Sequence, residues 1–141
     1  MEQLRQVDIA EALNISEPSA SRLMRALNRS ALPLNDLDIV KALTVGELAQ
    51  LGFTMAVGAE LMKEVEQEVR YVFEGHGRKC WILFVETEKQ SYRVAALTAG
   101  HLEGLMDSVG MAMVLPLHRA IEDARANLER IRRRKSQRAA A

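Results

Sequence analysis

The chain has 141 residues and a mass of 15.8 kDa, which suits one medium-sized domain or a small domain with an oligomerisation element. Apolar residues make up 48 %, so a packed core is expected, and the scarcity of Gly and Pro excludes long low-complexity segments. A single cysteine, Cys80, excludes an internal disulfide framework and a multi-cysteine zinc site. The longest apolar run, 111–117, is too short to cross a membrane, and the N-terminus lacks the order of a signal peptide. We therefore expect a soluble cytoplasmic protein.

The charges balance in total but not along the chain. Residues 118–141 carry eight Lys or Arg against three Asp or Glu, a formal charge of +5, so residues 1–117 carry −5. Binding to nucleic acid depends on the local potential near the phosphates, so a neutral total does not exclude it. The neutral total does argue against a protein that coats DNA with its whole surface.

The first two predicted helices are joined by a short turn. Apolar residues at helical spacing run up to Asn14, a residue that tolerates the left-handed conformation at a helix end. Ser16 is a typical N-cap, with Glu17 and Pro18 in the first turn that follows it. The second helix is predicted to continue to about Asn28.

Two further helices are predicted in the same region. The stretch 30–35 is a connector, and Asn35 or Asp36 can cap a third helix that Gly52 ends. A fourth helix, capped by Thr54, has an apolar face made of Met55, Val57, Leu61, Met62 and Val65.

Residues 69–97 have a composition typical of strands. The runs VRYVFE, KCWILFVE and SYRVAAL are rich in β-branched and aromatic residues, and GHGR and TEKQ separate them at hairpin-like lengths. The apolar run CWILFV does not alternate, which is typical of a central strand covered on both faces. A small antiparallel sheet of three strands is predicted.

Residues 98–141 return to a helical pattern. TAGHLEGLMDSVGMAM is predicted to form one short helix, and a longer helix begins at Pro116. Its apolar residues are spaced like the seam of paired helices. We assign this seam to a homodimer interface, with packing against the same chain as the open alternative; its members are Leu117, Ile121, Ala124, Leu128 and Ile131.

These patterns together predict a mostly helical α+β fold with two regions. Residues 1–68 form an N-terminal domain of about four helices. Residues 69–141 form the three-stranded sheet and a C-terminal dimerisation helix.

The stretch QVDIAEALNISEPSASRLMRAL resembles the helix-turn-helix of bacterial and phage DNA-binding proteins. Small Ala10 suits a close helix crossing, and Asn14 occupies the turn position where that family usually has Gly. In the family pattern Gln6, at the start of the first helix, suits a phosphate contact, and Ser16 caps the second helix at the DNA. The resemblance implies that the second helix is the recognition helix.

A helical projection of the second helix separates two faces. At about 100° per residue, Ala20, Leu23, Met24 and Leu27 lie on one side. The opposite side is basic and is flanked by serines. A helix with one basic side is most often a solvated surface, but the turn and cap pattern favours DNA recognition. The predicted DNA-contacting set is Gln6, Ser16, Ser19, Ser21, Arg22, Arg25 and Arg29.

A second resemblance extends over residues 4–68. LNDLDIVKALTVGELAQLGFTMAVGAELMKEVEQ is similar to the second helical pair of MerR-type regulators, in which a turn like LGF precedes a capped helix that packs on the first pair. Two features depart from that family. The wing between helices two and three is reduced to NRSALPLND, and a sheet follows where a dimerising helix is usual.

The remaining residues give no case for an enzyme, a cofactor or a metal site. Cys80 beside Trp81 on a predicted strand is typical of a core thiol, and the three histidines follow no metal-binding spacing. The basic cluster RIRRRK (130–135) is best interpreted as a solvated helix end; favourable contact with the helix dipole and phosphate binding are the alternatives.

The predicted function is a sequence-specific DNA-binding transcriptional regulator, associated with the nucleoid. Its partners are double-stranded DNA at an inverted-repeat site and a second copy of the chain, and another transcription protein is a further candidate partner. One alternative is an adaptor that docks another regulator or a polymerase subunit. The other is a DNA-packaging recognition subunit of a phage.

Overall fold

The protein is described from a computed structural model, over residues 3–27 and 33–141. In these residues seven helices and three strands follow one another in the order α1 (Gln6–Leu13), α2 (Glu17–Ala26), α3 (Asp36–Gln50), α4 (Met55–Glu64), α5 (Glu66–Glu74), β1 (Trp81–Glu86), β2 (Ser91–Ala96), α6 (Ala99–Ser108), β3 (Ala112–Pro116) and α7 (Leu117–Ala140). The predicted fold class is confirmed: a mostly helical α+β chain with a small antiparallel sheet and a long C-terminal helix.

The predicted helix ends are set by side chains that satisfy free backbone groups. Asn14 adopts the left-handed conformation after α1, with φ of 55°. The Oδ1 of Asn35 accepts the backbone N–H of Asp38 at 2.8 Å and begins α3. Thr54 begins α4 in the same manner, and Gly52, at φ of +102°, turns the chain between α3 and α4.

Two short segments differ from the prediction. VRYVFE belongs to helix α5 and is not a strand, because Val69 and Val72 are buried at a spacing of three, which places them on one helical face. The third strand is β3, from the segment 111–117, whose first half was predicted to be helix. In both segments the composition alone is misleading, because the spacing of the apolar residues decides between helix and strand.

The sheet is antiparallel with strand order β2-β1-β3, so the prediction of a central strand at CWILFV is confirmed. Ile82 and Leu83 of β1 point to opposite faces, and both are buried. On the Leu83 face, Val85 and Ala96 form a core against which residues of α6 pack. Two of these residues are Leu102 and Leu105.

The chain divides into two compact units. One, here called the helical unit, contains the described residues of Met1–Glu66 together with Ala120–Ala141, and the other, the sheet unit, is Gln67–Arg119. The first boundary lies near the predicted residue 68. Most of α7 groups with the N-terminal helices, whereas the sequence prediction placed this helix with the sheet.

The apolar seam of α7 is covered by its own chain. The exposed fractions of Leu117, Ile121, Ala124, Leu128 and Ile131 all lie between 0 and 6 % in the single chain. A seam that is already buried has no apolar surface left to offer a second helix. The assignment of these five residues to a homodimer interface is therefore corrected in favour of packing within the chain.

Within the described residues, none of the helices has the combination of length and apolar character needed to cross a membrane.

Candidate nucleic-acid interface

Helices α1 and α2 pack together around a tight turn. The backbone N–H of Asn14 bonds to the carbonyl of Glu11 at 3.2 Å, and that of Ile15 bonds to the carbonyl of Ala10 at 3.0 Å. Ala10 and Ala20 are almost fully buried, as small residues must be where two helices come close. The turn therefore fixes the direction in which α2 leaves α1.

Three side chains in the first turns of α2 form one hydrogen-bonded row. The backbone N–H of Ser19 donates to Ser16 Oγ at 3.2 Å, which is the N-cap, and the Ser16 hydroxyl donates to Ser19 Oγ at 2.9 Å. Arg22 Nη2 then donates to Ser19 Oγ at 3.0 Å. The two serines thus act locally: they begin the helix and hold the guanidinium of Arg22 close to its surface.

The two faces of α2 are separated as its projection requires. Ala20, Leu23 and Met24 are buried, with exposed fractions of 0 to 5 %, whereas Arg22 and Arg25 are exposed. An arginine that is exposed on a helix whose other face is packed can enter a groove of DNA without disturbing the core.

The remaining predicted contact residues occupy less prominent positions. Gln6 is the first residue of α1 and is half-buried, and Ser21 is half-buried beside the basic face of α2. Arg29 lies outside the described residues, as does most of the predicted wing at 28–36.

The second helical pair packs on the first, α3 against α1 and α4 against α2. Gly46 of α3 leaves room for this packing, because a Cβ there would stand 2.3 Å from Cδ2 of Leu13 and would force that side chain to move. Gly58 of α4 similarly faces Val45 of α3, where a Cβ would lie 3.1 Å from Cγ1. The two glycines thus lie where α3 contacts α1 and α4, and α2, which carries the exposed arginines, packs on α1 and α4.

A groove between α2 and α4 was not foreseen from the sequence. It has a volume of about 400 Å³ and a mostly apolar lining made of Ile15, Ser19, Arg22, Leu23, Ala26, Met55, Ala56 and Ala59. The sequence does contain a signal for this groove. Ala56 and Ala59 lie one helical turn apart on α4, and their short side chains leave space on the surface of that helix. Arg22 therefore stands at the border between this groove and the solvent.

The basic residues of α7 are partly engaged with acids of the N-terminal helices, which sequence reasoning also missed. Lys135 Nζ lies 2.9 Å from Asp8 Oδ2, and Arg138 Nη1 lies 3.1 Å from Glu11 Oε2, both on α1. Arg132 forms a salt bridge with Asp36 at the start of α3, and this hydrogen-bonded carboxylate raises the pKa of Arg132.

A half-buried carboxylate lies close to α7. Burial raises the pKa of Glu47 of α3, the negative charge of Asp123 raises it further, and Arg130 opposes both effects. Glu47 also lines a cavity of about 420 Å³ together with Gln50 and Asn127.

The sheet unit holds the only cysteine, in a setting that suits a core thiol. Cys80 is fully buried, and burial together with the charge of Glu68 raises the pKa of its thiol to about 11. His118 Nδ1 lies 3.2 Å from the backbone nitrogen of Cys80, and its ring meets Trp81 edge-on at 4.9 Å. Among the described residues no three His, Cys, Asp or Glu side chains are grouped so that they could hold a metal ion.

No protein-family model matches the sequence, and no curated protein is significantly similar to it.

Proposed function

We propose that the protein is a sequence-specific DNA-binding transcriptional regulator whose helices α1 and α2 act as a helix-turn-helix. The observation that carries the proposal is the exposure of Arg22 and Arg25 on a capped helix whose opposite face is buried. The left-handed turn at Asn14 and the cap at Ser16 support it, because they give the two helices a fixed angle.

The chemistry follows from the geometry of the guanidinium group. Arginine donates two parallel hydrogen bonds to O6 and N7 of guanine in the major groove, or clamps a phosphate. The bond from Arg22 to Ser19 lowers the freedom that this side chain must lose on binding. Gln6, at the first turn of α1, is proposed to contact the phosphate backbone, which the first helix of such motifs crosses.

The proposal includes a homodimer on an inverted repeat, with half-sites about 34–36 Å apart. Since the α7 seam is buried within the chain, another surface must join the copies. An apolar patch on the sheet unit supports this role: Met111, Met113 and Tyr92 have exposed fractions of 84, 56 and 37 % and border a cavity of about 590 Å³. In this proposal Met113→Asp yields monomers, which light scattering detects. If the substitution leaves the native mass unchanged, the apolar patch is not the dimer interface.

The test of DNA recognition begins with duplexes selected from a random library by repeated binding to the protein. Arg22→Ala and Arg25→Ala are each expected to cost about 1–3 kcal/mol for the selected duplex, roughly 5- to 150-fold in Kd, if the residue contacts a base. Lys89→Ala is the matched control, since it removes one exposed positive charge from the sheet unit. Selection that enriches no sequence, or unchanged affinity of both arginine variants, contradicts the proposal.

The groove beside Arg22 favours the adaptor as a second candidate. Its apolar lining suits a helix of a protein partner better than it suits phosphate. The two candidates differ on immobilised genomic DNA at low salt, where a regulator is retained and an adaptor elutes unbound.

A further inference from the structure

The N-terminal helices alone have the wrong charge for a DNA-binding surface. Residues 1–66 contain six Lys or Arg against ten Asp or Glu, a formal charge of −4. Such an excess opposes the approach of phosphates, which dominate the affinity of proteins for DNA. If this region binds DNA, as proposed above, a further basic element is needed to offset its negative electrostatic potential.

Helix α7 supplies the missing charge to the same compact unit. Residues 120–141 contain seven Lys or Arg against three Asp or Glu, a formal charge of +4, which brings the helical unit to neutrality. The pairs Lys135–Asp8, Arg138–Glu11 and Arg132–Asp36 place half of the basic side chains of 130–138 directly on acids of α1 and α3. Three carboxylates that would repel phosphate are thereby paired.

The other half of these basic side chains faces away from the core. Leu128 and Ile131 mark the buried side of α7, and at about 100° per residue Arg130 and Arg133 lie on the opposite side. Arg134 lies between the two sides, where it lines a cleft with Asp8 and Glu11 of α1. All three arginines are exposed. Arg130 also lowers the pKa of Glu47, against the effects of burial and of Asp123.

The ion pairs also hold α7 against the first helix of the motif. Asp8 and Glu11 belong to α1, the first helix of the motif, and their partners Lys135 and Arg138 are on the last turns of α7. In helix-turn-helix complexes the first helix crosses the sugar–phosphate backbone, so a basic helix that is paired to it lies close to phosphates that flank the base-reading helix.

We propose that Arg130, Arg133 and Arg134 form a second DNA-binding surface, which contacts phosphates next to the site read by α2. The inference rests on the proposed function, because α7 acts as part of the same DNA-binding unit. Phosphate contacts carry no sequence information. This surface therefore adds affinity equally for every duplex and steepens the dependence of that affinity on salt.

The test compares two triple variants with the same loss of formal charge. Arg130→Gln/Arg133→Gln/Arg134→Gln removes the proposed surface, and Lys79→Gln/Lys89→Gln/Arg119→Gln removes three exposed positive charges from the sheet unit. All six side chains are exposed, so both proteins should fold, which circular dichroism checks. Binding is measured by fluorescence anisotropy over a series of salt concentrations, with the selected duplex and with a mixed-sequence duplex.

The α7 variant is expected to lose the same factor of affinity for both duplexes. Each lost phosphate contact should lower the slope of log K against log salt by about 0.9, so three contacts lower it by roughly 2.7. The control variant should keep at least the larger part of the wild-type slope. A slope that changes equally in both triple variants, or in neither, overturns the inference.

Failure of the inference and failure of the proposed function give different results. If Arg22→Ala lowers the preference for the selected duplex while the α7 variant keeps the wild-type slope, only the inference is wrong. If the α7 variant loses slope while Arg22→Ala and Arg25→Ala leave the preference intact, α7 binds DNA and the assignment of α2 is wrong. A wild-type protein that binds neither duplex at low salt overturns both.

Discussion

Leu128→Ala is expected to destabilise the single chain and to leave its native mass unchanged. Leu128 lies on α7 with an exposed fraction of 4 %, and the ion pairs of Arg132 and Lys135 hold the following turns of the helix on α3 and α1. Removal of a buried leucine side chain forfeits its transfer free energy and leaves a cavity, which together cost about 3 kcal/mol.

This cost corresponds to a measurable change in thermal stability. With an unfolding entropy of about 2 cal/mol/K per residue, a loss of about 3 kcal/mol lowers the Tm of a chain of this length by roughly 10 °C. Gln137→Ala is the matched control, since it introduces alanine at an exposed position of the same helix and should shift the Tm only slightly.

The assay is circular dichroism during heating, at a low and a high protein concentration, with the native mass measured by light scattering. Packing within the chain makes the loss in Tm independent of concentration. A Tm loss that disappears at high protein concentration, together with a halved mass of the variant, refutes this reasoning. It would show that the seam joins two chains.

Three further predictions concern groups whose environments differ from solvent. Glu47→Gln should raise the Tm near neutral pH and leave it unchanged below about pH 4.5. The folded chain raises the pKa of Glu47, so the wild-type protein loses stability as the pH rises from 4.5 through that folded-state pKa, and the uncharged glutamine avoids this loss. Thermal melts across this pH range check it, and a benefit that is the same at every pH contradicts it. Cys80, with a pKa of about 11 and no exposure, should react with a thiol reagent at pH 8 only after denaturation, so rapid labelling of the native protein would exclude a buried thiol. Gly52→Ala should cost about 1–2 kcal/mol in urea unfolding, since φ of +102° strains any residue with a Cβ; equal stability would show that the turn can relax.

Local signals in the sequence predicted the ends of the N-terminal helices well. Ser16, Asn35 and Thr54 cap helices where they were expected, and Asn14 has the left-handed conformation expected of it. Caps and turns depend on hydrogen bonds between residues no more than about five positions apart. Such bonds can be read from a short stretch of sequence without knowledge of the rest of the fold.

The errors arise where the composition of a segment and the spacing of its apolar residues indicate different structures, or where a residue contacts another that is distant in the sequence. The Val-rich segment of α5 has strand-forming residues, yet Val69 and Val72 are spaced to share a helical face. The seam of α7 fits an internal neighbour as well as an external one, because apolar spacing alone does not identify the surface that covers it. Only the fold reveals that Lys135 meets Asp8, 127 positions earlier in the chain.

The candidate site follows the same division. Arg22 and Arg25 could be assigned to the exposed side of α2 because a helix of known register fixes which residues share a face. The groove between α2 and α4 depends on how two helices 29 or more residues apart approach each other, as Ala26 and Met55 do. No pattern within either helix determines that distance.

The position of α7 changes how a truncation of the C-terminus must be interpreted. Removing this helix exposes the apolar surface that its seam covers, leaves Asp8, Glu11 and Asp36 without their cations, and removes the arginine face at the same time. The truncated protein would lose stability, local charge and proposed phosphate contacts together, so its failure to bind DNA could be mistaken for the loss of a dimer. Point substitutions separate these effects: Leu128→Ala reports packing, and the triple change at the exposed arginines reports phosphate binding. If the first lowers only the Tm and the second only the salt slope, α7 has two independent roles on its two faces.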